Sequence, residues 1–586
     1  MSSLKSRTPS NAGYAVGFEN AVEQREPVTL RVKGEIPPWL TGRLYRTGPG
    51  TFRVPSKKAP GEMVNLAHWF DGLGMAHRFD ITPSGSVLYR SHHTSLGLQS
   101  RLEKAGAMVG VSFGDQDPCE TIFSKFFTMF RPGATQVPSP RKGAPDDVNV
   151  SVTLTPDMPG FASHASTLST TSPKNVPRYL VAKTDADTLQ VLDSETLRPL
   201  HATTYKELDP RLDGQLSAAH SCRDKETGEF FNYSLKLGPR PTYKVFRLRP
   251  TRNGEGHECD ILAEITDAPP AYLHSFAMTQ NYVVLCVWQA DFTFFGASIP
   301  FNRSIAGSIN KKWNSKRDAL FYVIDRKAGG VVAKFKTPPF FAFHAINAYD
   351  RGTGIVLDLA IYDDHRVIDL FYLDTLRNLS AENPVLLSRA RRFILEDVLS
   401  SKGAQAKVAR DAKVEYTVSH TSSIDLPTVH PALYHKPYRF AYGINKSDPA
   451  LPTFADRIVK LDMDSPGAEP KAWAVPGYTP GEPVFVPKPG SSPIDQEDDG
   501  VVLSVVLDGD SGKSMLVVLD AREMTELARA EMDTHFPISF HGVWAQQAKW
   551  LNVRNSLPLD SGGWTNVWIC FTEAPDTGTI KYCSSF

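Results

Sequence analysis

Short runs rich in Val, Ile, Leu, Tyr and Phe, each closed by an Asp, Gly, Lys or Ser turn, recur along almost all of this 586-residue chain. "PRYLVAKTDADTLQVLD", "NYVVLCVWQADF", "GTGIVLDLAIYD" and "GVVLSVVLDGDSGKSMLVVLD" are examples. Turn-bounded runs of this kind pair as consecutive antiparallel hairpins. Without a helix between successive strands a parallel α/β sheet is disfavoured, and an all-β sandwich array or propeller is favoured. We expect a propeller, which grows around an axis and so outgrows no single core. No WD-like dipeptide marks its repeats.

Two polar stretches, "RSIAGSINKKWNSKRD" and "RARRFILEDVLSSKGAQAKVARDAKVEY", interrupt the hairpins and read as insertions on one face, the second partly helical. The first 25 residues carry no strand pattern and are expected to be loose. Residues 26–586 are then one propeller domain whose helical and loop insertions form a cap on one face.

Charge and cysteine usage exclude several classes. Lys plus Arg and Asp plus Glu number 64 each, and no basic tract offers the footprint of a nucleic-acid binder. "MSSLKSRTPSNAGYAVGFEN" lacks the apolar core of a secretory signal, and no stretch is apolar for long enough to span a bilayer. A cytoplasmic or peripheral protein is expected. Cys119, Cys222, Cys259, Cys286, Cys570 and Cys583 are scattered without a C-x-x-C pair, so neither a disulfide framework nor a cysteine zinc site is indicated.

One segment breaks the β pattern. In "DPCETIFSKFFTMFRPG", residues 117–133, Ile122, Phe123, Phe126, Phe127 and Phe130 fall at spacings of three and four, an apolar stripe on a helix. Such a helix either covers part of the core or lies in the surface of a membrane, where it would suit the entry of a lipid-soluble substrate.

Of the 16 histidines, four stand in distinctive settings: His220 in "LSAAHSCRD", His274 in "AYLHSFAM", His344 in "FAFHAINAYD" and His541 in "FPISFHGVW". Each sits at or just before an expected strand among small or apolar neighbours. A lone histidine there is usually a satisfied core residue, since a buried ring nitrogen without a partner costs about 1–3 kcal/mol. The wide separations rule out an H-E-x-x-H site on one helix. In a propeller, however, the innermost strands of different blades meet at the axis, and four imidazoles meeting there would make a metal site.

Several ordered segments carry a resemblance to a known family: "GEIPPWLTGRLYRTGPGTF", "HWFDGLGMAHRF", "AAHSCRDKETGEFFNY", "HSFAMTQNYVV", "FHAINAYD", "PYRFAYG", "GEPVFVPKPGSSPIDQEDDGVVLSVVLD" and "FHGVW". From about Gly34 to Trp544 the chain resembles the carotenoid cleavage oxygenases, and within them the animal and fungal carotenoid and retinoid branch. The resemblance implies a seven-bladed β-propeller with an axial Fe(II) held by His220, His274, His344 and His541. Neutral imidazole suits iron, and four ligands leave room on a six-coordinate ion for dioxygen.

The family braces three of its histidines with glutamates. Here the matching positions hold Glu482, Asp185 and Asp425. Aspartate is one methylene shorter, so the backbone shifts, a water intervenes, or the local match is displaced. The implied reaction is oxidative scission of a conjugated C=C bond by O2 in an apolar tunnel, giving aldehyde or apocarotenoid products. The implied substrate is a carotenoid, torulene or β-carotene if the chain is fungal, as the tract after Trp544 suggests. Residues 117–133 match the branch's membrane-contacting stretch, with Cys119 at a position that can carry an acyl chain; peripheral association with membrane or lipid bodies follows. Two same-fold alternatives are a retinoid isomerohydrolase, which uses no oxygen, and a stilbene or phenylpropanoid cleaver, which needs polar groups to hold a phenol.

Overall fold

Strand Gly500–Asp508 pairs with Lys513–Asp520 from Val501↔Asp520 to Asp508↔Lys513, the antiparallel hairpin expected of its sequence. Its side chains alternate between two different cores: Val501, Leu503 and Val505 enter one, Val502 and Val506 another. A strand buried on both faces belongs to a sheet sandwiched between neighbouring sheets, which is how propeller blades stack. The computed structural model describes residues 13–114, 143–162, 176–251, 256–382, 384–385, 387–400 and 408–546. Residues 117–133, with Cys119, lie outside the described residues.

The architecture is all-β and propeller-like, with a few short helices, of which Leu96–Ala105 is a ten-residue example. Five sheets of four or five strands follow one another in sequence, over residues 153–204, 216–265, 277–337, 341–417 and 425–474. The third also takes in Ala409–Asp411, which pairs in parallel with Val331–Thr337. Seven separate blades are implied by the family resemblance, but among the described residues five sheets of four or five strands stand alone, beside the small hairpin of Arg53–Pro55 and Met63–Asn65, and a further ten strands form one continuous sheet. The cause is Val28–Gly34. Its first half pairs with Val87–His93 (Val28↔Tyr89 to Leu30↔Val87) and its second half with Glu526–Glu531 (Arg31↔Glu531 to Gly34↔Ala528). Gly42–Thr51 also pairs with His541–Gln546, so strands from both ends of the described chain meet in this sheet.

Two further expectations are corrected. Residues 13–25 are packed rather than loose: Phe18 is fully buried against Trp69 and Phe454, with ring centroids 6.1 and 6.3 Å away, and the Ala21 amide donates to the Gly50 carbonyl. Two buried aromatic residues supply this, Phe18 and Tyr14, whose hydroxyl accepts the Leu379 amide at 2.9 Å. The stretch expected to be partly helical begins instead with strand Arg389–Leu395, in register with Gly354–Tyr362, because Ala390, Phe393 and Leu395 supply an apolar surface to the sheet. Its helical content among the described residues is a single 3-10 turn, Val398–Ser400. No helix among the described residues is long and apolar enough to cross a membrane.

Candidate metal centre

The four singled-out histidines converge, each supplied by a different stretch of the sheet array. His220 lies between strands Leu216–Ser217 and Cys222–Arg223, and His274 just ahead of Ala277–Met278. His344 is inside Phe341–Arg351, beside a bulge between Ala342 and His344 that re-aims the side chain. His541 opens His541–Gln546. The backbone ties these segments together: the His220 amide donates to the His274 carbonyl, and the Ala345 amide donates to the Ser275 hydroxyl, 3.1 Å in each case.

His220 has its ring centroid 4.2 Å from that of His541 and 4.9 Å from those of His274 and His344. One ring nitrogen from each histidine lies within 4.8 Å of the others. His274, His344 and His541 are buried, and His220 is half-buried.

Three of the rings are braced by carboxylates. His541 Nδ1 is 2.6 Å from Glu482 Oε1, His274 Nδ1 is 2.9 Å from Asp185 Oδ2, and His344 Nδ1 is 3.2 Å from Asp425 Oδ1. Among the described residues no carboxylate hydrogen-bonds the His220 ring. A carboxylate only accepts, so each of the three Nδ1 atoms carries the proton and each Nε2 presents a lone pair. Lone pairs converging in a buried space repel unless a cation sits among them. The Nε2 atoms of His220 and His541 are 2.9 Å apart, and the buried Nε2 of His344 has no hydrogen-bond partner. The donor set and its orphaned nitrogen fit a metal ion that favours imidazole.

Electrostatics keep His541 and His220 neutral, as ligands must be. Burial holds His541 down to about 4 against the pull of Glu482, and burial with the neighbouring imidazoles holds His220 well below the ordinary histidine value. Glu482 stays below its ordinary range despite burial, because His541 and Arg46 favour its charge. Asp425 is also lowered: burial opposes this, and the hydrogen bond from His344 prevails.

The two aspartates sit where the sequence match puts them, and both reach their histidines directly. At Asp425 the strand is irregular. The ladder jumps from Asp425↔Ile444 to Thr428↔Tyr442, and Leu426 adopts a left-handed φ of 47°, a conformation costing a non-glycine residue of order 1–2 kcal/mol. The Leu426 amide then donates to Asp425 Oδ1 at 2.7 Å.

Arg46 is a participant that the sequence reading did not single out. Fully buried, it places Nη1 2.6 Å from Glu482 Oε2, and the Gly542 amide donates to the same oxygen at 2.7 Å. Gly542 has to be glycine, since a Cβ there would lie 2.5 Å from Arg46 Cδ. The available signal was an arginine inside the apolar strand of "GRLYRTGPGTF". Tyr272 and Tyr362, each touching one of the aspartates, were also missed, because an aromatic residue among apolar neighbours reads as core.

Beside the centre lies a cavity bordered by His274, His344 and His541 but not by His220. Trp69, Phe70, Phe343, Phe371, Phe454 and Phe540 make much of its wall. Such a lining suits a long apolar ligand and offers few polar handles.

Fold and site together define a class: a propeller-like protein whose axis carries a four-histidine cluster able to hold one metal ion next to an aromatic cavity. The family model described as retinal pigment epithelial membrane protein matches residues 17–546. A carotenoid dioxygenase of Neurospora crassa is 33% identical over 576 residues, covering 90% of this chain and 90% of the relative. A torulene dioxygenase of Gibberella fujikuroi is 35% identical over 564 residues, covering 90% of this chain and 92% of the relative. The solved structure of cobalt-substituted Synechocystis apocarotenoid oxygenase superposes with a TM-score of 0.68 at 23% identity, over 92% of this chain and 99% of that one. The chain belongs to this family, the carotenoid cleavage oxygenases.

Proposed function

We propose that the chain is a non-haem Fe(II) dioxygenase that cleaves a conjugated C=C bond of a carotenoid, torulene or β-carotene, with O2 to give aldehyde products. The observation that carries this is the meeting of four imidazole nitrogens within 4.8 Å at the wall of an aromatic cavity. Family membership and the two fungal relatives support the substrate class.

The residues divide the work. His220, His274, His344 and His541 would hold the iron through the ring nitrogens that face one another. Asp185, Asp425 and Glu482 keep the proton of three rings on Nδ1 and so fix which nitrogen is free. When bound, Fe(II) supplies the activation of dioxygen that a singlet polyene cannot achieve unaided. The aromatic wall aligns a rigid polyene beside His274, His344 and His541 and excludes water, so regiochemistry follows cavity depth rather than hydrogen bonding. His220 does not border the cavity.

Three finer readings go with this proposal. The ten-stranded sheet counts as two blades joined through Val28–Gly34, which with the five separate sheets makes the family's seven. Residues 117–133 serve as the contact with a membrane or lipid-body surface, with the bulk of the protein on the cytoplasmic side. Their apolar stripe supports this.

The test is anaerobic purification with Fe(II), iron quantitation, and addition of β-carotene or torulene in detergent with and without O2. One iron per chain and oxygen-dependent aldehydes are expected. Iron without any oxygen-dependent product would overturn cleavage in favour of isomerohydrolase-like chemistry, and no iron would remove the metal reading.

A further inference from the structure

The two aspartates that replace glutamates share a feature that Glu482 lacks: each is gripped by a buried tyrosine hydroxyl. Tyr272 donates to Asp185 Oδ2 at 2.7 Å, on the same oxygen that takes His274 Nδ1, and its hydroxyl lies 3.3 Å from that Nδ1. Tyr362 donates to Asp425 Oδ2, leaving Oδ1 for His344. Both tyrosines are buried, at 1% and 6% exposure. Glu482, with its longer reach, carries the Arg46 guanidinium instead.

We propose that Tyr272 and Tyr362 are positioning residues for the metal centre, each clamping a short carboxylate in the orientation that directs its histidine. The proposal rests on the metal reading above and deepens it.

The physical argument begins with reach. A carboxylate shortened by one methylene meets its histidine only over a narrow range of χ1 and χ2, and rotation inside a buried site would abandon the imidazole. The remaining contacts of each carboxylate are backbone amides, from Ala219 at 3.2 Å for Asp185 and from Leu426 at 2.7 Å and Ser388 at 3.3 Å for Asp425. A phenol held in a packed core adds a directional donor that these amides do not replace, and a hydrogen bond to a charged acceptor is stronger than one between neutral groups. The two clamps differ in placement. Tyr362 borders the aromatic cavity, whereas Tyr272 stands behind His274, edge-on to Phe113.

The test uses the full chain freed of metal, with Co(II) as the probe, followed by its visible absorption and by competition with a chelator. Tyr272→Phe and Tyr362→Phe each remove one hydroxyl and keep the ring. Each should weaken Co(II) binding about 5–10-fold, the scale of losing one hydrogen bond to a charged group, and change the absorption of the bound ion. Tyr179→Phe is the control: its buried hydroxyl donates to the Met158 carbonyl, and its removal should leave Co(II) binding unchanged. The discriminating step is rescue. Asp425→Glu in the Tyr362→Phe background should restore binding to within about twofold of the parent, because a longer carboxylate needs no clamp. Tyr362 and Tyr272 test the idea independently, so a folding failure in one leaves the other decisive; thermal unfolding identifies such a failure. If the parent chain binds Co(II) and the folded tyrosine variants bind it equally well with unchanged spectra, the positioning role is overturned while the metal reading stands. A parent chain that binds no Co(II) overturns the metal reading itself.

Discussion

Arg46 and Glu482 form a buried ion pair, Nη1 to Oε2 2.6 Å, with 1% of the arginine side chain and 10% of the glutamate side chain exposed. Through its other oxygen Glu482 holds His541, so the pair joins the Gly42–Thr51 strand to the metal cluster. Removing one partner leaves a buried charge uncompensated, which typically costs 3–5 kcal/mol. Arg46→Met should therefore lower unfolding free energy by about that much and weaken metal retention. Urea unfolding and metal analysis check it; stability within ~1 kcal/mol of the parent would show that Glu482 can be satisfied without the guanidinium.

Replacing Asp185 or Asp425 by Ala leaves His274 or His344 without its Nδ1 acceptor. Iron retention should fall about 10–100-fold in each variant, with little effect on the other site's brace. Iron content after gel filtration against a chelator measures this. Unchanged content in both would sink the assignment of these aspartates as braces.

These contacts also mark what the sequence could and could not reveal. His220, His274, His344 and His541 stood out because each lies beside a strand among small or apolar residues, and the family resemblance then implied that the four share a metal. The hairpins were legible because turn-bounded apolar runs need only local pairing. The joining of Val28–Gly34 to Glu526–Glu531 was not, since that ladder connects residues about 500 positions apart and leaves no local signature. Tyr272, Tyr362 and Arg46 were hidden for a different reason. Their functional atoms are single polar groups at the ends of side chains whose apolar bodies pack like any core residue. Phe18 and Phe393 show the same limit in reverse, as each draws a polar-looking stretch into the core.

The cavity wall offers a test of placement. Leu387 borders the cavity and is nearly buried, at 8% exposure. Leu387→Phe should narrow the space available to the polyene while leaving the four histidines untouched. The expected outcome is unchanged iron content with slower or relocated cleavage, seen as altered aldehyde products by chromatography. An unaltered product pattern and rate would place the substrate elsewhere.

The last prediction concerns acid stability of the metal-free chain. His68 is fully buried; its Nε2 meets the Ile368 carbonyl at 2.9 Å, and its Nδ1 accepts the Phe70 amide at 3.1 Å. His430 likewise accepts the Ala432 amide on Nδ1 at 3.1 Å. Protonating either Nδ1 would forfeit that bond. Burial accordingly pushes His68 down to about 3; burial, aided by the nearby Lys225 charge, pushes His430 down to about 4. The unfolded chain, with histidines near 6.5, binds more protons than the folded one over the interval between these values, so stability rises with pH there. The contribution is complete above about 6.5 and is lost as pH falls towards 4 and then 3, by up to ~1.4 kcal/mol per pH unit for each site. The lowered carboxylates Asp425 and Glu482 act in a more acidic window, whereas Asp187, which burial raises to about 6, opposes the histidines between about pH 6 and 4, so the contribution of His68 is read from the difference between parent and variant. Urea unfolding of the parent and of His68→Gln at pH 7, 6 and 5 should show a smaller slope in the variant; parallel profiles would mean that His68 is protonated in the folded chain.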